Sequence, residues 1–331
     1  MWQKRKEFFK LLSILTFQRF WNLQKLLISY WVSIIKKKPL VWAHPFAISI
    51  EPTTLCNLHC AECPTGNKTL TRSMGKMDVV NFNKIIDQVY LKTFYLNLYL
   101  QGEPFLHPEI IDMISYATKK RMFVCISTNG HFLDEKTCSN LVKSGIQKII
   151  ISVDGATNES YNKYRKDGEL TKVLNGIKML SQAKQNLNSS NPEIVIQMLV
   201  NKYNEHEINN VKQLTKAIGA NRLELKSMQI YNDNSFLSNI NKHNRYIKDK
   251  NGNLIIKNKL NNRCFRLWSN AAITWDGKLI PCCYDKNATC EIGNIQINSF
   301  KLLWNNNELN TFRQNILNNR NNIDICKNCT E

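Results

Sequence analysis

The sequence predicts an α/β fold made of parallel strand–helix units. Two observations carry this. From Phe46 onward, short apolar runs alternate with amphipathic stretches, joined by short polar loops. With 331 residues, 43% of them hydrophobic, the chain can also bury a substantial core.

The first forty-two residues stand apart as a basic amphipathic helical extension. Up to Leu40 the basic residues are Lys4, Arg5, Lys6, Lys10, Arg19, Lys25, Lys36, Lys37 and Lys38, and the only acid is Glu7. Between them Phe8, Leu11, Leu12, Leu15, Phe20, Trp21, Leu27, Trp31 and Ile34 recur at helical spacing. Lys10, Arg19 and Lys25 interrupt the apolar stretch, which makes it a poor membrane span. Two readings stay open. One is an interfacial segment on an anionic membrane, anchored by Trp and Tyr. The other is a helix pair covering the bottom or edge of the next domain.

Strands are expected at Phe46 to Glu51, Tyr95 to Gln101, Met122 to Thr128, Lys148 to Val153, Glu193 to Val200 and Arg222 to Lys226. Helices are expected at Val79 to Tyr90, Pro108 to Lys120, Asp134 to Ser144, Glu159 to Lys184 and His206 to Ile218. Six such units are fewer than a closed eight-stranded barrel needs. Residues 231–262 are rich in Asn, Lys and Asp and read as a linker that crosses the opening of the domain. Beyond it, Asp276-Gly277 between Ala271 to Thr274 and Lys278 to Ile280 predicts a tight hairpin. Phe300 to Leu317 has helical spacing and reads as core.

The formal charge of +19 is spread along most of the chain, and no nucleic-acid-binding motif accompanies it, so nucleic acid is not expected as a partner. No cleavable signal peptide is evident, and the eleven cysteines group at metal-ligand spacings. A reducing, cytoplasmic setting with metal-binding thiols is therefore expected.

The first group, Cys56-x₃-Cys60-x₂-Cys63, follows the first strand. Chance would place three cysteines at this spacing roughly 0.01 times in such a chain. Three thiolates can hold three irons of a cubane and leave one open; a zinc site needing a fourth ligand is the alternative. Polar turns then close successive strands: Gln101-Gly102-Glu103-Pro104, Ser127-Thr128-Asn129-Gly130 and Ser152-Val153-Asp154-Gly155. Each alone is ordinary loop chemistry.

Together, in this order, they resemble the radical S-adenosylmethionine (radical SAM) enzymes. That resemblance implies a partial (β/α)6 TIM-type barrel over 43–230. It implies a [4Fe–4S] cluster on Cys56, Cys60 and Cys63, with the amino acid end of SAM as fourth ligand. Gly102, Glu103, Ser127, Asn129, Ser152, Asp154 and Arg165 become candidate SAM contacts. An arginine suits the SAM carboxylate because its guanidinium is planar and bidentate. One departure is Glu62, where the family usually has an aromatic or apolar residue packed by the adenine.

Cys264, Cys282, Cys326 and Cys329 form a second group; four thiols can close a complete [4Fe–4S] or zinc site. With Gly277-x₄-Cys282 and Cys326-x₂-Cys329, residues 263–331 resemble the SPASM/twitch extension of radical SAM enzymes, in the shortened form with one auxiliary cluster. Cys283 is left over, and hairpin alternation should turn it to the other face. Cys125 and Cys138 read as buried small hydrophobes. The resemblance implies reductive cleavage of SAM to a 5′-deoxyadenosyl radical, hydrogen abstraction from a substrate, and a net oxidation or modification aided by the auxiliary cluster. A flavodoxin- or ferredoxin-type reductant is expected. Peripheral contact with the inner face of a membrane through residues 1–40 is the further partner considered. A peptide- or protein-modifying maturase and a non-catalytic Fe–S electron carrier or redox sensor are the alternatives; no catalytic side chain is named.

Overall fold

The computed structural model describes residues 2–231 and 234–330. Met1, Asn232, Asp233 and Glu331, and the side chains of residues 2–6 in the basic extension, lie outside the described residues. Two helices open the chain, α1 (Trp2–Ser13) and α2 (Phe17–Lys36). The strand–helix series follows: β1 (Ala47–Ile50), α3 (Val79–Val89), β2 (Tyr95–Asn97), α4 (Ile110–Lys119), β3 (Phe123–Thr128), α5 (Glu135–Lys143) and β4 (Lys148–Ser152). It continues through α6 (Asn158–Tyr164), α7 (Leu170–Asn186), β5 (Glu193–Val200), α8 (Ile208–Ala217) and β6 (Arg222–Ser227). The remainder holds β7 (Tyr246–Lys248), β8 (Leu254–Ile256), α9 (Arg266–Ser269), β9 (Asn270–Ile273), β10 (Lys278–Ile280), β11 (Gly293–Asn294), α10 (Phe300–Trp304) and α11 (Asn307–Asn319).

The six expected strands form in order and pair in parallel, β1 to β6. The sheet order is β11-β10-β9-β1-β2-β3-β4-β5-β6, open between β6 and β11. This is a partial barrel of the TIM type with a C-terminal module. Alternation explains its two faces. Ile48, Leu96, Val124, Ile149 and Ile194 turn outward and bury against the helices. The alternate positions, Ser49, Asn97, Cys125, Ser127, Ile150, Ser152 and Gln197, line the interior.

At the strands' N-terminal end, α1 plugs the barrel. Leu11 and Ile14 pack on Phe123, Cys125, Ile150 and Val195. Glu7 meets the first residues of three strands: the Tyr95 hydroxyl donates to it at 3.5 Å, and Lys148 and Arg222 pair with it at 3.3 and 3.8 Å. Arg19 of α2 is buried. Its guanidinium donates to the carbonyls of Tyr90, Ile14, Lys120 and Arg121 at 2.7–3.2 Å. A cation there closes the C-terminal ends of α3 and α4, where carbonyls lack helical partners.

Two helix expectations need correction, and two further features were not anticipated. The stretch 159–184 is two helices, because Asp167 adopts φ +64° and the chain turns at Gly168, freeing Arg165 to point at the site. The stretch 300–317 breaks at Asn305–Asn306, where the Asn306 side chain caps α11 by accepting from the Leu309 N–H at 2.9 Å. The linker carries its own hairpin, β7–β8, turned by Asp249, whose carboxylate accepts from the N–H groups of Asn251 and Asn253. Finally, β9 pairs in parallel with β1 from Ala47↔Asn270 to Ile50↔Ile273, so the C-terminal hairpin extends the barrel sheet.

Candidate active site at the C-terminal end of the strands

β1 ends at the buried Glu51, which ties three segments together. Its carboxylate pairs with Arg72 at 2.5 Å and accepts the N–H groups of Gln101 and Trp275 at 3.2 and 3.1 Å. Burial raises its pKa and the Arg72 contacts oppose the rise. The thiol loop springs from this anchor. His59 and Ala61 donate their N–H groups to the carbonyls of Lys166 and Tyr164 at 3.2 and 3.3 Å, which fixes the loop against the end of α6. Gly66 lies so close that a Cβ there would stand 2.6 Å from the Cys60 nitrogen. His59 faces solvent and pairs with Asp167, away from the thiols.

Cys56, Cys60 and Cys63 pack together with Leu58, Tyr164 and Met228. The Leu58 N–H points at the Cys56 sulfur at 3.5 Å, and the Arg165 guanidinium at the Cys60 sulfur at 3.6 Å. Burial pushes the Cys60 thiol up to about 12, with Arg165 pulling the other way, and it raises Cys56 as well. Without a cation these thiols hold their protons; a bound metal displaces them.

The polar strand ends converge here. Gly102, at φ +73°, passes so close to the thiol loop that a Cβ would meet the Thr53 carbonyl oxygen at 2.4 Å. Glu103 is buried and accepts from the Thr128 hydroxyl and the Asn129 N–H at 2.7 Å, and from the Phe105 N–H at 3.1 Å. These fill three of a carboxylate's roughly four acceptor positions. Glu103 thus holds the ends of β2 and β3 together before any ligand arrives. The Asn129 side chain donates to Asn57, inside the thiol loop, at 2.8 Å. Asp154 is fully buried; one oxygen accepts the Leu199 N–H and the other the Arg165 Nε, both at 2.6 Å. Burial opposes the charge on Arg165, but Asp154, Cys60 and the nearby tyrosines raise its pKa well above the ordinary value. Ser127 and Ser152 lie on the interior wall beside these groups, in register with Ile150 and Gln197. Glu62 is buried and accepts the Tyr231 N–H at 2.6 Å, so it fastens the thiol loop to the start of the linker.

Three thiols of the second group, Cys264, Cys326 and Cys329, lie around Arg320. Its guanidinium donates to the Cys329 sulfur at 3.3 Å, and Cys264, Cys326 and Cys329 raise its pKa against burial. Cys326 is itself pushed up to about 11 by burial. The Tyr284 N–H points at the Cys282 sulfur at 3.5 Å. Cys283 receives the Arg266 guanidinium at 3.5 Å on the cavity wall, but its thiol is hydrogen-bonded to that of Cys282, so the two neighbours do not turn to opposite faces as alternation predicted. Arg266 and Arg320 were not anticipated from sequence; arginines within six residues of the cysteines were the available signal.

Beside the first thiol group lies a cavity of about 430 Å³, lined by Cys63 and Arg165 and by Arg266, Cys283 and Tyr284, which lie within two residues of Cys264 or Cys282 in the chain. Lys226, Arg245 and Lys286 also line it, against the single acid Glu62. A larger hollow of about 740 Å³ lies among Phe105, His131 and Met179, away from the thiols. Among the described residues, no three His, Cys, Asp or Glu side chains converge to hold a single metal ion. The donor set fits iron–sulfur clusters: reduced, largely buried thiols, with N–H and guanidinium groups aimed at their sulfurs.

Known proteins share this arrangement. The family described as "Radical SAM superfamily" matches residues 50–215, and "Iron-sulfur cluster-binding domain" (SPASM) matches residues 264–330. The AdoMet-dependent heme synthase of Methanosarcina barkeri is 29% identical over 53% of this chain and 48% of its own length. Mycofactocin maturase MftC of Mycobacterium ulcerans is 27% identical over 53% of this chain and 46% of its own. The chain thus spans about half the length of these curated relatives. The crystal structure of BtrN in complex with AdoMet and 2-DOIA superposes with a TM-score of 0.53 at 20% identity, covering 87% of this chain and 94% of that one, a likeness of fold. On the thiol loop, the parallel sheet and the matched residues, the chain belongs to the radical SAM superfamily.

Proposed function

We propose that this protein is a radical SAM oxidoreductase: it splits SAM reductively and takes a hydrogen atom from a substrate held in the 430 Å³ cavity. The observation that carries the reading is one cavity lined by Cys63 and Arg165 of the first thiol site and by Arg266 and Cys283, the chain neighbours of Cys264 and Cys282. Cys56, Cys60 and Cys63 would hold the SAM-binding [4Fe–4S] cluster. Cys264, Cys282, Cys326 and Cys329 would hold the auxiliary one. When bound, the first cluster would supply the electron that cleaves the sulfonium to methionine and a 5′-deoxyadenosyl radical, and the second would supply an electron acceptor in the adjoining module.

The chain's own residues prepare this chemistry. Arg165, held by Asp154, presents a fixed cation beside Cys60 for the SAM carboxylate. Gly102 and Glu103 form the turn that faces the amino group, with Ser127, Asn129 and Ser152 on the adjoining wall. Glu62 and Tyr231 seal the thiol loop to the linker and limit water entry. The cationic lining favours an anionic substrate. Residues 43–230 act as the barrel, 231–262 as the cover and 263–331 as the auxiliary module. A flavodoxin- or ferredoxin-type protein is the proposed reductant and the cytoplasm the proposed compartment, with a peripheral membrane contact through residues 1–40.

A second reading, modification of a peptide or protein, is favoured by the likeness to the mycofactocin maturase. Anaerobic reconstitution tests the main reading. The protein should bind about eight irons, four per cubane, and release 5′-deoxyadenosine from SAM and dithionite. Iron loading without SAM cleavage would leave an electron carrier instead. Retention of zinc alone would end the proposal.

A further inference from the structure

We propose that the N-terminal helices dock this protein on an anionic lipid bilayer, with the catalytic cavity pointing away from the membrane. This inference stands apart from the reaction assigned above. Its basis is the outward face of α2. The inward face of α2 mixes polar and apolar groups: Leu26 and Tyr30 are buried there beside Arg19, Asn22, Ser29 and Ser33, and these four donate to backbone carbonyls. The outward face carries Phe17, Trp21, Ile28, Trp31 and Ile35, spaced by three, four or seven residues along one stripe. Phe17 is 77% exposed and Ile35 79%, while Trp21 and Trp31 are about half exposed. Phe8 and Phe9 of α1 and Trp42 beyond α2 are exposed as well. Tyr30 and Ile34 reach the core beside Leu267 and Trp268, yet the second apolar stripe of Phe17, Trp21, Ile28, Trp31 and Ile35 stays exposed.

Charge identifies the occupant. Nine basic residues and one acid fall within the first forty positions. That acid, Glu7, is turned into the barrel toward Lys148 and Arg222. Lys25, Lys36, Lys37 and Lys38 stay exposed beside the apolar stripe. Apolar, aromatic and cationic surface together is the complement of an anionic bilayer interface, where Trp sits at headgroup depth and each lysine adds electrostatic attraction. A protein partner would gain nothing from so one-sided a charge unless it were strongly acidic. No described helix is long and apolar enough to cross a membrane, so the contact is peripheral.

The geometry also sets the orientation. Glu7 binds the first residues of β2, β4 and β6, while the thiols follow the other end of the sheet. Substrate and reductant would therefore approach from the aqueous side.

Flotation of the full chain with vesicles tests this. Wild type should float with phosphatidylcholine–phosphatidylglycerol vesicles and not with phosphatidylcholine alone. The variant Trp21→Ser/Ile28→Ser/Trp31→Ser/Ile35→Ser should lose about tenfold in bound fraction, with an unchanged melting curve because these side chains are exposed. Lys36→Glu/Lys37→Glu/Lys38→Glu should weaken binding mainly at low salt. Wild type left at the bottom of the gradient, equal flotation of the serine variant, or equal binding to both vesicle types would each overturn the proposal. So would a dimer that the serine variant splits while wild type ignores vesicles.

Discussion

Arg165 reaches Asp154 through Nε at 2.6 Å and turns its other nitrogen toward the Cys60 sulfur at 3.6 Å. The pair is almost wholly buried, so neither charge has water to fall back on. It joins the end of β4 to the thiol loop.

Replacing Asp154 with Asn strands the guanidinium in a dry site. Losing one partner of a buried pair costs about 3 kcal/mol, and urea unfolding of the anaerobic protein should show it. Arg165→Lys should keep the fold but lower 5′-deoxyadenosine release about tenfold or more, because an ammonium cannot reproduce the forked contact. Unaltered turnover in Arg165→Lys would remove Arg165 from SAM binding.

Glu51 plays the corresponding role between the barrel and the C-terminal hairpin. Glu51→Gln breaks the pair with Arg72 and weakens the acceptor for Trp275. A stability loss of about 3 kcal/mol is expected. Amide exchange should quicken across 270–280, and a uniform change along the chain would contradict the linking role.

Cys125 and Cys138 are buried away from both thiol groups, and burial pushes each up to about 12 from 9.0. The unfolded chain releases these protons near pH 9, whereas the folded chain holds them. Stability therefore falls as pH rises from about 9 toward 12, by roughly 1.4 kcal/mol per unit for each thiol. Cys125→Ala/Cys138→Ala should flatten the alkaline decline in melting temperature relative to wild type, although it starts from a lower value because cavities are left. An identical slope would contradict the shift.

The two thiol groups should load independently. Cys60→Ala should retain about four irons and lose all SAM cleavage; Cys329→Ala should also retain about four. If Cys329→Ala kept the full iron content, Arg320 would be compensating something other than a cluster.

Much of the barrel was legible in the sequence. The six strands are apolar every second residue or throughout, and tertiary context had only to align them. A single helix over 159–184 overlooks Asp167-Gly168, a turn dipeptide like Asp276-Gly277; there Asp167 takes a left-handed φ, and Arg165 before it reaches Asp154. The joining of β9 to β1 was hidden for a different reason: pairing partners 223 residues apart leave no local pattern.

The sequence by itself determined the chemistry available: three thiols after one strand, four in the last segment, and polar turns at successive strand ends. Spacing along the chain is enough for that, because ligands within one loop cannot stray far from each other. Only the tertiary structure decided that Cys63 and the Cys283–Tyr284 segment face one cavity, that Arg165 and Arg320 attend thiol sulfurs, and that the aromatic side of α2 looks outward. Most of these relations join residues far apart in the chain, as Arg165 and Cys60 are at 105 positions, or depend on which side of a helix the rest of the fold covers. Long-range packing sets them, and local periodicity carries no record of it.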